Sequence, residues 1–170
     1  MTKEQFQNLF DLYFDDIRRY LYYRSGDATV STDLAQDTFM RVWEKQMDLL
    51  PGRDTGLLYK IAGDLFVSHT RRERLRKEAP KEIRFEQREP TPEEDLNYRE
   101  LEKKYEEVLM KLPENQRIAF LMSRTEELTY GEIAARLSIS VKAVEKRVSG
   151  ALSRLRKELK PDEPGKRTYR

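Results

Sequence analysis

Cysteine is missing altogether from this sequence, and its 170 residues hold one histidine, one tryptophan, seven glycines and seven prolines. Without cysteine there is no disulfide framework and no thiolate metal site. His69 has no second histidine or thiolate to complete a common zinc site, so no metal and no other cofactor is expected. So few glycines and prolines argue against a loop-rich β architecture. Apolar runs are short, so no transmembrane helix and no direct membrane insertion are expected. Residues 1–10 carry Lys3 and Glu4 but no long apolar core, unlike a secretory signal. A Gly-rich phosphate loop and an internal repeat are absent as well. Net charge is only +2, a poor advertisement for a nucleic-acid binder.

What is present favours helices. Charged residues make up 38% and hydrophobic residues another 38%, with a mean hydropathy of -0.86. Leu, Glu, Lys, Arg and Ala, all good helix formers, are abundant. The expected class is all-α, with small cores rather than one large one. The charge is also unevenly placed. Residues 1–50 and 85–107 are acidic on balance, whereas 71–84 hold seven basic side chains against three acidic, and 142–160 seven against two. Two basic islands in a nearly neutral chain suggest two nucleic-acid contacts separated by something acidic.

Pro80, Pro90 and Pro92 interrupt a polar stretch and forbid a continuous helix there. This divides the chain into a domain at 1–78, a linker at 79–92, a second domain at 93–160 and a disordered tail at 161–170. Thr91, Pro92 and Glu94 form a capping box that opens the second domain. In the first, Phe6, Leu9, Phe10, Tyr13, Phe14, Ile17 and Leu21 recur at helical spacing, and Gly26-Asp27 ends that helix. A second helix is predicted from about Thr32 to Met47. After Pro51–Asp54 comes a third, from about Leu57 to Arg76. In the second domain, Leu101, Tyr105, Val108, Leu109 and Leu112 make a stripe, and Pro113 restarts the chain into 114–124.

Residues 128–159 carry the strongest pattern. Thr129 and Glu132 form a capping box for a helix running through Leu137, with Ile133, Ala134 and Leu137 on its apolar side. Ser138-Ile139-Ser140 is a tight connector with Ile139 as apolar plug, and Ser140 caps a longer helix from Val141. This is the grammar of a helix–turn–helix. Val141, Val144, Val148, Leu152 and Leu155 share one face of the second helix. Lys142, Lys146, Ser149 and Ser153 share another, flanked by Arg147 and Arg154. Long cations reach phosphates or guanine edges, and small serines allow close approach to a groove. A solvated amphipathic helix would explain the basic face alone, but not the whole succession of cap, helix, plug, cap and basic helix.

Two N-terminal segments are open to more than one reading. Asp33, Gln36, Asp37, Met40, Arg41 and Glu44 share a helical face whose mixture of acid, amide and Met suits protein docking; by composition alone it is a solvated face. Residues 57–76 place Leu58, Ile61, Ala62, Leu65 and Phe66 on a buried side. Tyr59, Lys60, Asp64, Arg71, Arg72 and Arg74 then offer aromatic and cationic groups of the kind that hold unstacked bases beside a phosphate backbone. Equally, Tyr59 packs in the core and the arginines are solvated.

In this order and spacing, the motifs resemble the sigma-70 family of bacterial RNA polymerase sigma factors, and within it the small extracytoplasmic function (ECF) group, which keeps regions 2 and 4. Asp33-Leu34-Ala35-Gln36-Asp37-Thr38-Phe39 resembles region 2.2. Leu58-Tyr59-Lys60-Ile61-Ala62 with Arg71-Arg72 resembles regions 2.3 and 2.4. Leu112–Arg117, then Leu128–Ala134, and the helix opening Ile139–Arg147 resemble region 4. The resemblance covers about residues 5–76 and 98–159. It implies a protein of the bacterial cytoplasm whose partners are core RNA polymerase (the β′ clamp helices and the β flap), promoter DNA and an anti-sigma factor. Asp33, Gln36, Asp37, Met40, Arg41 and Glu44 would meet the polymerase. Gly52, Arg53, Asp54 and Thr55 of a flexible base-pocket loop, with Tyr59, Lys60, Asp64, Arg71, Arg72 and Arg74, would hold the single-stranded minus-10 element. Ser140, Lys142, Lys146, Arg147, Ser149 and Arg154 would read the duplex minus-35 element. The chain departs from the family at Ala62-Gly63-Asp64, where Asn is frequent, and at Glu127, where Gly is frequent.

Two rival readings follow from the residues. A repressor or activator would use the same C-terminal motif on duplex operator DNA without polymerase, leaving residues 57–76 and the face of Gln36 and Asp37 unexplained. A nuclease would need a carboxylate or histidine cluster for metal, and no such motif occurs, so the chain is not expected to be an enzyme.

Overall fold

A computed structural model of the chain describes residues 1–76 and 96–159, with side chains for 1–76 and 101–159. The expected linker at 79–92, the Thr91–Glu94 capping box and the tail at 161–170 lie outside the described residues.

Among the described residues, seven helices make two bundles. The first holds α1 (Lys3–Ser25), α2 (Ala28–Glu44) and α3 (Thr55–Arg76). A capping box opens α1: the Gln5 amide donates to Thr2 Oγ1 at 3.2 Å, and the Thr2 amide to Gln5 Oε1 at 2.7 Å. Gly26, left-handed at φ 67°, ends it and donates to the Tyr22 carbonyl. Helix α2 begins at Ala28, four residues before the expected Thr32, because the Asp27 side chain caps it by accepting from Val30 N at 3.0 Å. Helix α3 begins at Thr55, two residues early. The core is built on Leu9, Ile17, Leu21, Phe39, Val42, Leu58 and Ala62. Phe10 stacks on Phe14 at 4.6 Å and meets Phe39 edge-on at 5.0 Å, pairs worth about 1 kcal/mol each beyond their burial.

The second bundle holds α4 (Leu96–Lys111), α5 (Glu114–Arg124), α6 (Tyr130–Leu137) and α7 (Val141–Leu159). Val108, Leu109, Leu112, Ile118, Ile133, Val144, Val148 and Leu155 form its core. Helices α5 and α7 approach closely at Gly150, where a Cβ would stand 2.9 Å from Gln116 Nε2. Two residues expected on apolar stripes are exposed, Leu101 and Val141. Among the described side chains of α4, 101–104 are exposed and burial begins at Tyr105, and Val141 is the first residue of α7. The bundles also touch each other, α5 against α1 and α6 against α3. Among the described residues, no helix is long and apolar enough to cross a membrane.

Candidate nucleic-acid and polymerase interfaces

The helix–turn–helix forms as the sequence implies. Thr129 Oγ1 accepts from the Glu132 amide, and the Glu132 carboxylate accepts from Thr129 N at 2.8 Å and Oγ1 at 2.7 Å. The Thr129 hydroxyl, and next its backbone N–H, hold that carboxyl below its usual range. Ser138 takes the left-handed conformation at φ 54°, and the Ile139 amide donates to the Ala134 carbonyl at 3.0 Å. That turn redirects the chain, and Ser140 Oγ then accepts from the Ala143 amide at 3.1 Å to start α7. Val144, Val148, Ala151 and Leu155 anchor α7 to the bundle. Lys142, Lys146, Ser149, Ser153 and Arg154 are exposed, and Arg147 is half-buried. The result is a cationic face with small hydroxyls, rigidly held from behind.

The face of α2 is divided as sharply. Leu34, Ala35, Thr38, Phe39 and Val42 are buried, and Asp33, Gln36, Asp37, Met40, Arg41 and Glu44 are all exposed, Met40 to 56%. Thr38 avoids a buried polar orphan by donating to the Leu34 carbonyl at 2.7 Å. Trp43 lies beside this face, its ring 5.0 Å from Phe6. Among the described residues, nothing covers this exposed Met and the acid and amide groups around it.

The loop before α3 is more ordered than the sequence suggests. The Leu50 amide donates to Asp54 Oδ2 at 2.9 Å, and the Gly52 amide to Tyr13 Oη at 2.9 Å. Gly52 sits at φ 80°, which a side-chain-bearing residue rarely adopts. Arg53 Nε donates to Asp54 Oδ1 at 3.3 Å. The Leu50 N–H, above all, lowers the Asp54 carboxyl. Asp54 thus shapes the loop, while Gly52 and Arg53 are exposed at its tip and Thr55 is half-buried. Beyond it, Lys60, Asp64, Arg71, Arg72 and Arg74 are exposed along α3.

Tyr59 stands apart from them. It is 2% exposed, its ring meets Tyr20 edge-on at 5.1 Å, and its oxygen accepts from Arg136 Nη1 at 2.9 Å. Burial pushes its hydroxyl pKa up. In this arrangement Tyr59 is a core residue covered by the second bundle, not a surface a base could reach. Nothing in the sequence pattern pointed to what covers it. Arg136 also ion-pairs with Asp16 at 2.9 Å and Glu126 at 3.3 Å. Arg19 pairs with Asp16 and approaches Glu126 at 3.6 Å, and Arg24 pairs with Glu114 at 2.7 Å. The only signal for these pairings was the density of Arg and Asp in residues 15–24, which equally describes a solvated helix.

Comparison with known proteins accords with this geometry. The family described as Sigma-70 region 2 matches residues 9–76, and Sigma-70, region 4 matches residues 102–155. The chain is 32% identical, over 84% of its length, to the ECF RNA polymerase sigma factor SigE of Mycolicibacterium smegmatis, but spans only 56% of that relative. It is 30% identical to the ferric citrate uptake sigma factor FecI of Escherichia coli, over 86% of each chain. Among solved structures, it resembles the sigma factor RpoE of Bartonella quintana, crystallised in complex with the anti-sigma factor NepR. That match has 25% identity and a TM-score of 0.66 over 92% of this chain and 98% of the other. Both family regions, in order on two helical bundles, and a relative matched across most of both sequences lead to one conclusion: this chain belongs to the sigma-70 family, in its extracytoplasmic function group.

Proposed function

We propose that the chain docks on core RNA polymerase through the exposed face of α2 and directs promoter-specific initiation. Lys142, Lys146, Arg147, Ser149 and Arg154 of α7, with Ser140 at its start, read duplex minus-35 DNA. The loop at Gly52–Thr55, with Lys60, Asp64, Arg71, Arg72 and Arg74, holds the single-stranded minus-10 segment. Tyr59 joins them once it is uncovered. The work is done in the bacterial cytoplasm, where the polymerase is, and involves no catalytic group of its own. Region 4 adds a contact to the β flap. An anti-sigma factor is a further partner, as for the Bartonella relative.

The observation that carries this reading is the division of α7. Its buried side fixes it to the bundle, while Lys142, Lys146, Ser149, Ser153 and Arg154 are exposed and Arg147 is half-buried beside them, the arrangement a groove-reading helix requires. The polar face of α2 on the other bundle favours a polymerase-dependent factor over a free-standing repressor. Run-off transcription from a candidate promoter with purified core polymerase tests it. The expected result is a transcript that depends on both the chain and the promoter. Operator-like duplex binding by the chain alone, without stimulated transcription, would transfer the assignment to the repressor reading.

A further inference from the structure

The loop before α3 takes its shape from a residue that the sequence pattern counts only as apolar. The ends of the loop close on themselves. The Leu50 carbonyl accepts from the Arg53 and Asp54 amides at 3.2 and 3.0 Å, and the Leu50 amide donates to Asp54 Oδ2 at 2.9 Å. The apex reaches outside the loop instead. Gly52 N–H donates to Tyr13 Oη at 2.9 Å, 39 positions away, and Thr55 Oγ1 stands 3.4 Å from the same oxygen. One phenol oxygen thus ties the apex to the first residue of α3. Tyr13 can do this because its own ring is held. It lies between Leu9 and Ile17 on one face of α1, both buried, and packs against the core. The tie is separate from the seam between the bundles, which reaches this region at Gly56, where an added Cβ would lie 2.9 Å from the Ala135 carbonyl oxygen.

The apex is also where a ligand has room. A Cβ built on Gly52 would meet nothing within 4 Å, so crowding is not what requires glycine there. The requirement is φ 80°, a conformation that residues with side chains rarely adopt. Glycine reaches many other conformations at little cost, and the Tyr13 hydrogen bond selects one of them. Selectivity is a difference of affinities. A pocket of fixed shape makes a wrong base clash or leaves its polar edge unpaired, whereas a loose one yields to every base alike.

We propose that Tyr13 is a positioning residue of the minus-10 reader, resting on the sigma-factor reading above: its phenol oxygen sets the Gly52 apex in the shape that selects the extracted base. Its loss lowers discrimination between bases and leaves the grip on phosphates untouched.

The test compares wild type with Tyr13→Phe, which removes one oxygen and keeps the ring. Holoenzyme is assembled from the full chain and core polymerase. Its binding is measured to single-stranded minus-10 oligonucleotides from a promoter it transcribes, with each of the four bases placed at each position. At one position the affinity ratio of best to worst base should fall about fivefold, the worth of one hydrogen bond. Capture by core polymerase and the salt slope should match wild type, because no phosphate contact has changed. A brace that served only the fold would lower affinity for all four bases alike. Gly52→Ala keeps Tyr13 but strains φ 80°, so it should cause the same loss, and the double variant should lose no more than either single one. Gly52→Ala also carries the test if Tyr13→Phe loses helicity by circular dichroism. In the free chain, hydrogen exchange at the Gly52 amide, followed by NMR, should quicken about fivefold in Tyr13→Phe. Parallel losses for all four bases, unchanged discrimination, additive losses in the double variant, or an unchanged exchange rate would each overturn the proposal. Failure of wild type to support run-off transcription would instead overturn the sigma-factor reading and leave the exchange result standing.

Discussion

Arg117 donates its Nε–H to the carbonyl oxygen of Tyr23 at 2.9 Å, across 94 positions of sequence. The guanidinium also reaches the Arg24 carbonyl at 3.5 Å and, on its own bundle, those of Met110 at 3.3 Å and Leu112 at 3.5 Å. It therefore serves the C-terminal ends of α1 and α4 together, where unpaired carbonyls and the negative ends of the helix dipoles favour a cation. Burial, at 3% exposure, lowers its pKa, with the nearby Glu114 carboxylate acting the other way. Arg117→Met should cost about 2–4 kcal/mol, because buried carbonyls would be left without a charged donor. Urea unfolding followed by circular dichroism measures this, and a cost below about 1 kcal/mol would mean that water replaces the guanidinium.

Glu126 predicts a pH dependence at the seam. Its side chain is 6% exposed and faces Arg136, Arg19, Asp16, Tyr23 and Tyr59. Burial, the largest influence, raises its pKa above 4.5 despite the two arginines. A carboxyl raised in the folded state binds its proton more tightly there than in the unfolded chain. Its favourable contribution is complete below about 4.5 and is lost as pH rises through the folded value. Asp54 and Glu132 are shifted the other way, but they are common to wild type and variant and cancel. Relative to Glu126→Gln, the wild type should therefore gain stability as pH falls from 7 to 5. Unfolding midpoints of both proteins at the two values check this. A constant difference between them would show that Glu126 does not titrate in this window.

The helices and their faces were legible because apolar periodicity is local. Leu58, Ile61, Ala62 and Phe66 are buried as their spacing implies, and Thr129, Glu132 and Ser140 act as the caps their positions suggest. The start of α2 was hidden because Ala28-Thr29-Val30-Ser31 has little helical preference of its own and depends on the Asp27 cap and on packing. The loop at Leu50–Asp54 looked loose because its brace, Tyr13, comes from another helix. The seam was illegible for the same reason in stronger form. Arg136 meets Asp16 and Tyr59 at separations no periodicity reports, and Tyr59 has identical neighbours in sequence whether it lines a DNA surface or a core.

The α2 face should carry most of the affinity for core polymerase. Gln36 and Asp37 are exposed, so Gln36→Ala with Asp37→Lys should leave helicity intact. Pull-down by core polymerase should fall at least tenfold, about 1.4 kcal/mol or more. Undiminished capture would move the docking site elsewhere.

On α7, Lys142, Lys146 and Arg147 divide into base readers and phosphate holders. Removing a base reader costs about 1–3 kcal/mol and changes preference at one position, while removing a phosphate holder weakens all sequences and reduces the salt slope by about one. Half-buried Arg147 and exposed Lys146 are the expected readers. Binding of single alanine variants, in holoenzyme, to minus-35 duplexes changed one position at a time separates the two roles. Three variants with unchanged affinity and preference would remove α7 from the interface.

Strand opening places the last demand on the structure. Extracting a base from duplex DNA costs a few kcal/mol, and a pocket must return it. The loop tip at Gly52 and Arg53 is exposed and braced by Tyr13 and Asp54, so it can grip a base without first being ordered. Arg71, Arg72 and Arg74 extend into solvent from the far end of α3, about 24 Å along its axis from the loop, and suit phosphates farther along the strand. Changing residues 52–56 should therefore alter which base is accepted. Arg71→Ala with Arg72→Ala should instead lower affinity for every sequence, with a salt slope smaller by about one for each phosphate that is no longer neutralised. Permanganate reactivity of unpaired thymines in the holoenzyme–promoter complex reads out opening itself. A holoenzyme that binds its promoter tightly yet never exposes a reactive thymine would show that this surface grips duplex DNA only.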